Sequence, residues 1–385
     1  MLTFRDFIQI NETIWFSAVE TNGLFQMNLM TGATVWKGCF PGEEILRRNL
    51  YGTSLLYKNK IVFVPLTAKE IAVYDLGSDS FEKYSLPYEI EQMEWKFASA
   101  ALYENKVYCF PGNSPQIISF SMETRELKCT SVERLREKNN KLFSTRIIGI
   151  ENEKVYIQIL NKKQICIFNM KKDYFMDEAI STEKMYTGVL CNEYNLYLIP
   201  DIDSMFEKVD LLTGEIKKIK VPRGFESGNN IKPFSITVKD KTNIYAFPNG
   251  SNMTVKIDCD TNLAEALYFP EKKKKGEIIH CNCIKKIDSD RWLMVLTGEK
   301  YRKIYIVNLE KWKFNELVSF FEVDFLELYF KKNRHKINEI QEKWVEESFS
   351  INILEHLDWI LGEVKETILT DNCGMIIHEK IKGEL

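Results

Sequence analysis

The chain has 385 residues, 45% of them hydrophobic, 12% aromatic and 28% charged, with a formal net charge of −3. That balance supplies a sizeable core under a mixed-sign surface, and it excludes a disordered chain and the global basic field that gathers nucleic acid. The opening residues MLTFRDFIQINETIWF have neither the basic start nor the apolar run of a signal peptide, no apolar stretch is long enough to span a membrane, and nine scattered cysteines without a CxxC pair read as reduced thiols. We expect a cytoplasmic protein that meets neither membrane nor nucleic acid.

In chain order, the first element is NETIWFSA, an apolar-alternating run, and the next is LFQMN, which ends at Asn28. The same pair returns as NKIVFVP and IAVYD (Asp75), NKVYCFP and IISFS (Ser121), EKVYIQI and ICIFN (Asn169), YNLYLIP and FEKVD (Asp210), TNIYAFP and TVKID (Asp258), and DRWLMVLT and IYIVN (Asn308). These seven marks lie 47, 46, 48, 41, 48 and 50 residues apart. A short polar side chain suits each position because it can bond backbone N–H groups two or three residues on and close a hairpin turn. Four of the earlier runs stop at a proline, Pro65, Pro111, Pro200 and Pro248, which lacks the N–H a continuing ladder needs. A further apolar run with small residues precedes each pair, as in LYGTSLLY, KFASAALY and LFSTRIIG. Each unit therefore holds four strands.

A four-stranded unit repeated every 40–50 residues is the pattern of a β-propeller blade, so the expected fold is all-β, a seven-bladed propeller over residues 1–314. NKIVFVP…IAVYDLGSDSFEKYSLP and NKVYCFPG…IISFSMETRELKCTS resemble degenerate kelch-like blades of the galactose-oxidase central-domain type. The resemblance implies a variable loop before a strand ending in Tyr-Asp. It departs from that pattern in lacking the Gly-Gly pair after the second strand, and in carrying the outer-strand tryptophan only loosely, at Trp36 and Trp312.

From residue 315 the period changes: Leu317, Phe321, Phe325, Leu328, Ile337, Ile340 and Trp344 recur three and four apart, predicting an amphipathic helix. A second helix is expected from Ser350, so residues 315–385 read as a helical extension that packs on or caps the propeller.

Chemistry is sparse. His280, Cys281 and Cys283 form the densest cluster of ligand types, but on a regular strand the two cysteines share a face and the histidine points away, so neither a metal nor another cofactor is expected. Only four histidines exist, three of them in the tail, and there is no nucleophile elbow or phosphate loop. An aromatic recurs at the start of the innermost strand in five of the units, at Tyr51, Phe97, Phe143, Tyr186 and Phe234. With Arg48, Trp95 and Arg146, and with Asp201 and Asp203 in a neighbouring loop, these are the candidate lining of a central funnel that stacks on a peptide or sugar. The competing reading packs the aromatics between blades. The functional expectation is a non-catalytic platform whose loops and tail hold a protein partner, with a funnel hydrolase or lyase acting on a small carbohydrate or peptide as the alternative.

Overall fold

The computed structural model describes residues 2–132, 145–159, 164–181, 186–192, 194–200, 205–226, 233–269, 280–298 and 302–321. Seven four-stranded antiparallel sheets follow one another along the chain, each a simple meander. Their first strands are β1 (Ile8–Ile10), β5 (Tyr51–Tyr57), β9 (Phe97–Tyr103), β13 (Thr145–Glu151), β17 (Tyr186–Asn192), β21 (Phe234–Asp240) and β25 (His280–Lys286). Each of the first six contacts the first strand of the next sheet, which sets the first strands side by side along the inner edge of the blades.

Apolar runs in the second and third strands are buried on both faces because each sheet is sandwiched between two others. Along β6 (Lys60–Pro65), Ile61 and Phe63 pack toward the first blade, while Val62 and Val64 pack toward the third. The described core consists of seven such clusters, one at each interface between neighbouring blades, and the seventh joins Phe4, Phe16 and Phe25 to Cys283, Leu293 and Ile304. An open row of seven sheets would have six interfaces, so the ring is closed.

All seven polar marks are the last residues of third strands. Oδ1 of Asp210 accepts Leu212 N at 2.8 Å and Thr213 N at 3.0 Å, and Asn28, Asp75, Asp258, Asn169, Asn308 and Ser121 likewise bond N–H groups two or three residues on. The four prolines each end a second strand opposite the aromatic that opens the first: Pro65 faces Tyr51, Pro111 Phe97, Pro200 Tyr186 and Pro248 Phe234.

Neither the first nor the last blade borrows one of its four antiparallel strands from the other end of the chain. Blade one is β1–β4 and blade seven is β25–β28, each taken from its own end of the chain. Lys285 donates to Asp6 Oδ1 at 2.9 Å and to the Phe7 carbonyl at 2.8 Å, and Asp6 Oδ2 accepts Ser54 N at 2.8 Å, so one carboxylate ties blades seven and two.

Two local expectations are corrected. Residues 315–321 are extended, not helical: they finish β28 (Lys313–Glu316) and form β29 (Phe320–Phe321), which pairs in parallel with the outer strand β4 (Ala33–Gly38). Leu317 is buried and Phe321 partly so, and both pack against the first blade, where the pairing of β29 and the Phe25 ring hold them. The remainder of the predicted extension, 322–385, lies outside the described residues. Cys281 and Cys283 do not share a face, because the register shifts between them and sends Cys281 toward blade six and Cys283 toward blade one. Among the described residues no helix is long and apolar enough to cross a membrane.

Candidate functional site

An antiparallel meander sends its first-to-second and third-to-fourth turns to one side of the disc, and its second-to-third turns and inter-blade connections to the other. The first side is built of tight turns. Asn11, Lys58, Glu104, Asn152 and Lys241 hold left-handed φ there, and the polar marks close the remaining hairpins. Among the described residues, the opposite side receives the long connections 39–50 and 86–96, the latter with the single-turn helix α1 (Tyr88–Glu91). The described residues also form a shallow polar depression on the tight-turn side, about 260 Å³, lined by Asn195, Lys208, Asp210, Glu215, Lys217 and Asn262. The Asp210 carboxylate in its wall is taken up by the amides of its own turn.

On the loop side a continuous belt crosses four blades. At the start of β27 (Arg302–Asn308) in blade seven, Arg302 Nη1 lies 3.9 Å from Glu20 Oε1 in the blade-one loop. Glu20 is 1% exposed and accepts Thr3 N at 2.9 Å and Thr3 Oγ1 at 2.5 Å; burial raises its pKa. The next loop residue, Thr21, donates to the Ile45 carbonyl, and Asn49 N donates to the Val19 carbonyl, seating the 39–50 connection on this loop. Arg48 and Asn49 sit at the end of that connection. Asn49 Oδ1 accepts Arg5 Nε at 2.9 Å, and the Arg5 guanidinium lies 5.4 Å from the centre of the Trp95 ring. The Arg302 pKa is lowered by burial, against the pull of Glu20, with a smaller repulsion from Arg48.

Beneath the belt are two charged groups with little access to water. Lys96 is fully buried and donates to the carbonyls of Met93 at 2.5 Å and Thr67 at 3.3 Å. Burial, then Arg47, lowers its pKa to about 8, while Glu43, Glu91 and Glu94 oppose the shift. Glu43, 5% exposed, accepts Lys69 N at 2.6 Å, and burial raises its pKa.

The sequence candidates divide. Arg48 and Trp95 are exposed and fall in one sector of the loop side. Trp95 is 45% exposed and adopts φ +55°, a costly backbone region for a large side chain. Its carbonyl accepts Asn113 N at 2.8 Å, and a Cβ on Gly112 would stand 2.3 Å from that oxygen, so Gly112 makes room for the Trp95 loop. Tyr51, Phe97 and Phe234 are buried between blades: Tyr51 against Phe40 and Phe63, Phe97 with Leu86 and Ile90, and Phe234 against Phe206 and Phe225. Tyr186 opens β17 and Arg146 lies in β13, with their side chains outside the described part; Phe143, Asp201 and Asp203 lie outside the described residues altogether. Arg5, Glu20 and Arg302 escaped the sequence reading, since only ring closure brings the two ends of the chain together. Among the described residues no group of three or more His, Cys, Asp or Glu side chains could hold a metal ion.

No protein-family model matches the chain, and no curated protein matches it in sequence. Among solved structures it is similar to YCF48 from Cyanidioschyzon merolae (10% identity, 77% of this chain and 94% of that one, TM-score 0.56). It is also similar to the extracellular domain of a protein described as a hybrid two-component system from B. thetaiotaomicron (14%, 76% and 39%, 0.54). A third is the dihydro-heme d1 dehydrogenase NirN (10%, 80% and 64%, 0.52). At these identities the likeness is one of fold, and the fold is a seven-bladed β-propeller of four-stranded antiparallel blades.

Proposed function

We propose that this protein is a binding platform that holds a protein partner on its loop side. The observation that carries the reading is the asymmetry of the disc. Among the described residues, one side is built of short turns, while the other presents the long connections 39–50 and 86–96, with Tyr88 (76% exposed), Trp95 and Arg48 exposed. Tyrosine, tryptophan and arginine are the residue types that dominate interface energetics. The structural neighbours include an enzyme and an extracellular domain, so fold alone does not choose between a binding module and an enzyme. Against a funnel enzyme, the buried ionisable groups Lys96, Glu43 and Glu20 are engaged by the chain itself, Lys96 and Glu43 by loop backbone and Glu20 by Thr3.

The kelch-like assignment belongs to the same proposal. Tyr74-Asp75 at the end of β7 (Glu70–Asp75) supports it, whereas Trp312 sits in a turn and not in the outer strand. A cytoplasmic location fits the seven described cysteines, all of them free thiols.

The test is co-purification with face-specific variants. Tyr88→Ala with Trp95→Ala is expected to abolish recovery of a stoichiometric partner, while Met30→Ser with Leu212→Ser on the opposite side leaves it intact. Recovery that depends on the tight-turn side, or no partner at all for a folded chain, would sink the reading.

A further inference from the structure

Blade one is a strand wider than its neighbours. Among the described residues its sheet has five strands and the other six have four, because β29 returns from the end of blade seven to pair with β4, Phe320 opposite Ala33 and Phe321 opposite Thr34. Side chains alternate between the two faces of this pair. On one face, Trp36 and Phe321 pack into the cluster shared with blade seven. The other face is turned toward blade two, where Lys37 reaches Asp79 at 3.1 Å and lies over the Trp15 ring. Val35 and Phe320 stand on that second face, 39% and 49% exposed. Met30, in the turn before β4, and Val318, whose carbonyl lies against Gly32, are more exposed still. Blade two has no fifth strand to stand opposite β29, so these side chains form an apolar ledge on the rim of the disc.

An apolar flank on an edge strand invites contact with any chain that meets it. The chain that meets it first is this one. Residue 322 follows Phe321 directly, and Phe325, Leu328, Ile337, Ile340 and Trp344, all outside the described residues, recur at helical spacing. A stripe of that period needs an apolar surface, and a covalent tether offers it the ledge at the high effective concentration of an intramolecular contact. A second copy of the chain would have to surrender translational and rotational freedom for the same burial.

We infer that residues 322–344 dock on the rim of blade one as an amphipathic helix, with their apolar stripe on Phe320 and Val35. The tail then belongs to the disc, and its stripe is occupied at the rim instead of holding a partner on the loop side.

The test uses the full chain with p-benzoylphenylalanine in place of Val35, irradiated at low protein concentration and mapped by peptide mass spectrometry. The expected result is a link within one chain to the segment from Phe325 to Trp344. The same probe in place of Leu263, an exposed turn residue of blade six, is expected to give none. Amide exchange supplies a second reading. Residues 325–344 are expected to be protected in the parent and to exchange about tenfold faster in V35K, which puts a charge into the apolar contact. Parent exchange rates in β6 show that this variant is folded. A link to a second copy would overturn the inference and mark the ledge as a self-association surface. So would links confined to blades one and two, equal linking from position 263, tail amides that exchange freely in the parent, or tail protection that V35K leaves unchanged.

Discussion

Lys96 is the residue whose surroundings make the sharpest demand. Its ordinary pKa near 10.5 falls to about 8 on folding because the ammonium is taken out of water. Between those two values the unfolded chain binds the proton and the folded chain does not, so stability rises with pH across that window and is lower below pH 8. Lys96→Met is expected to flatten this rise in denaturant titrations run from pH 7 to 10.5, while leaving the Met93 and Thr67 carbonyls without their donor. The turn aspartates behave in the opposite sense. Backbone N–H groups hold the Asp75, Asp210 and Asp258 carboxyls below their usual range, so what they contribute is present above the unfolded value of 3.8 and is lost as pH falls through the lower folded value. Asp210→Asn should keep the turn and abolish that acid sensitivity, read by amide exchange at Thr213. These marks were legible in the sequence because their chemistry is local. The approach of Arg302 to Glu20 was not, because nothing in a linear pattern says that the first and last blades touch.

At the scale of the element, the second strands carry a device that spacing alone did not expose. Tyr108 donates to the Met170 carbonyl at 2.5 Å, Tyr197 to Cys259 at 3.2 Å and Tyr245 to Leu309 at 3.3 Å, each acceptor being the residue after the next blade's polar mark. Every such bond stitches one blade to its neighbour. Tyr108→Phe is expected to cost about 1–3 kcal/mol in urea unfolding, since the buried Met170 carbonyl loses its side-chain donor. The recurring VYC, LYL and IYA were readable in the sequence, but the target of each hydroxyl lies in the following unit. The cysteines of β25 show a harder limit: a one-residue bulge reverses alternation, and no composition signals where it falls. The outer edge of blade one likewise depends on Gly32, at φ +79°, where a Cβ would stand 2.0 Å from the Val318 carbonyl oxygen. Gly32→Ala should detach β29 from β4, seen as loss of exchange protection at the Phe320 amide, which donates to the Gly32 carbonyl.

For the whole molecule, the count of blades and the order of strands followed from seven spaced marks because each blade is a local meander whose contacts are short in sequence. What the marks left open was the seam. Asp6 reaches both Lys285 and Ser54, so Asp6→Ala is expected to lower the unfolding midpoint and to raise amide exchange in β1 and β25 before the other first strands. Equal loosening of all seven blades would show that the seam has no separate weakness.

The ring is a bracelet whose strap returns to its own clasp: the chain that leaves β28 runs back to pair with the outer strand of blade one, and Lys285 on Asp6 holds the same joint near the axis. The clasp therefore has an inner and an outer catch, Lys285 on Asp6 and β29 on β4, and undoing either one alone leaves the other to keep the ring shut.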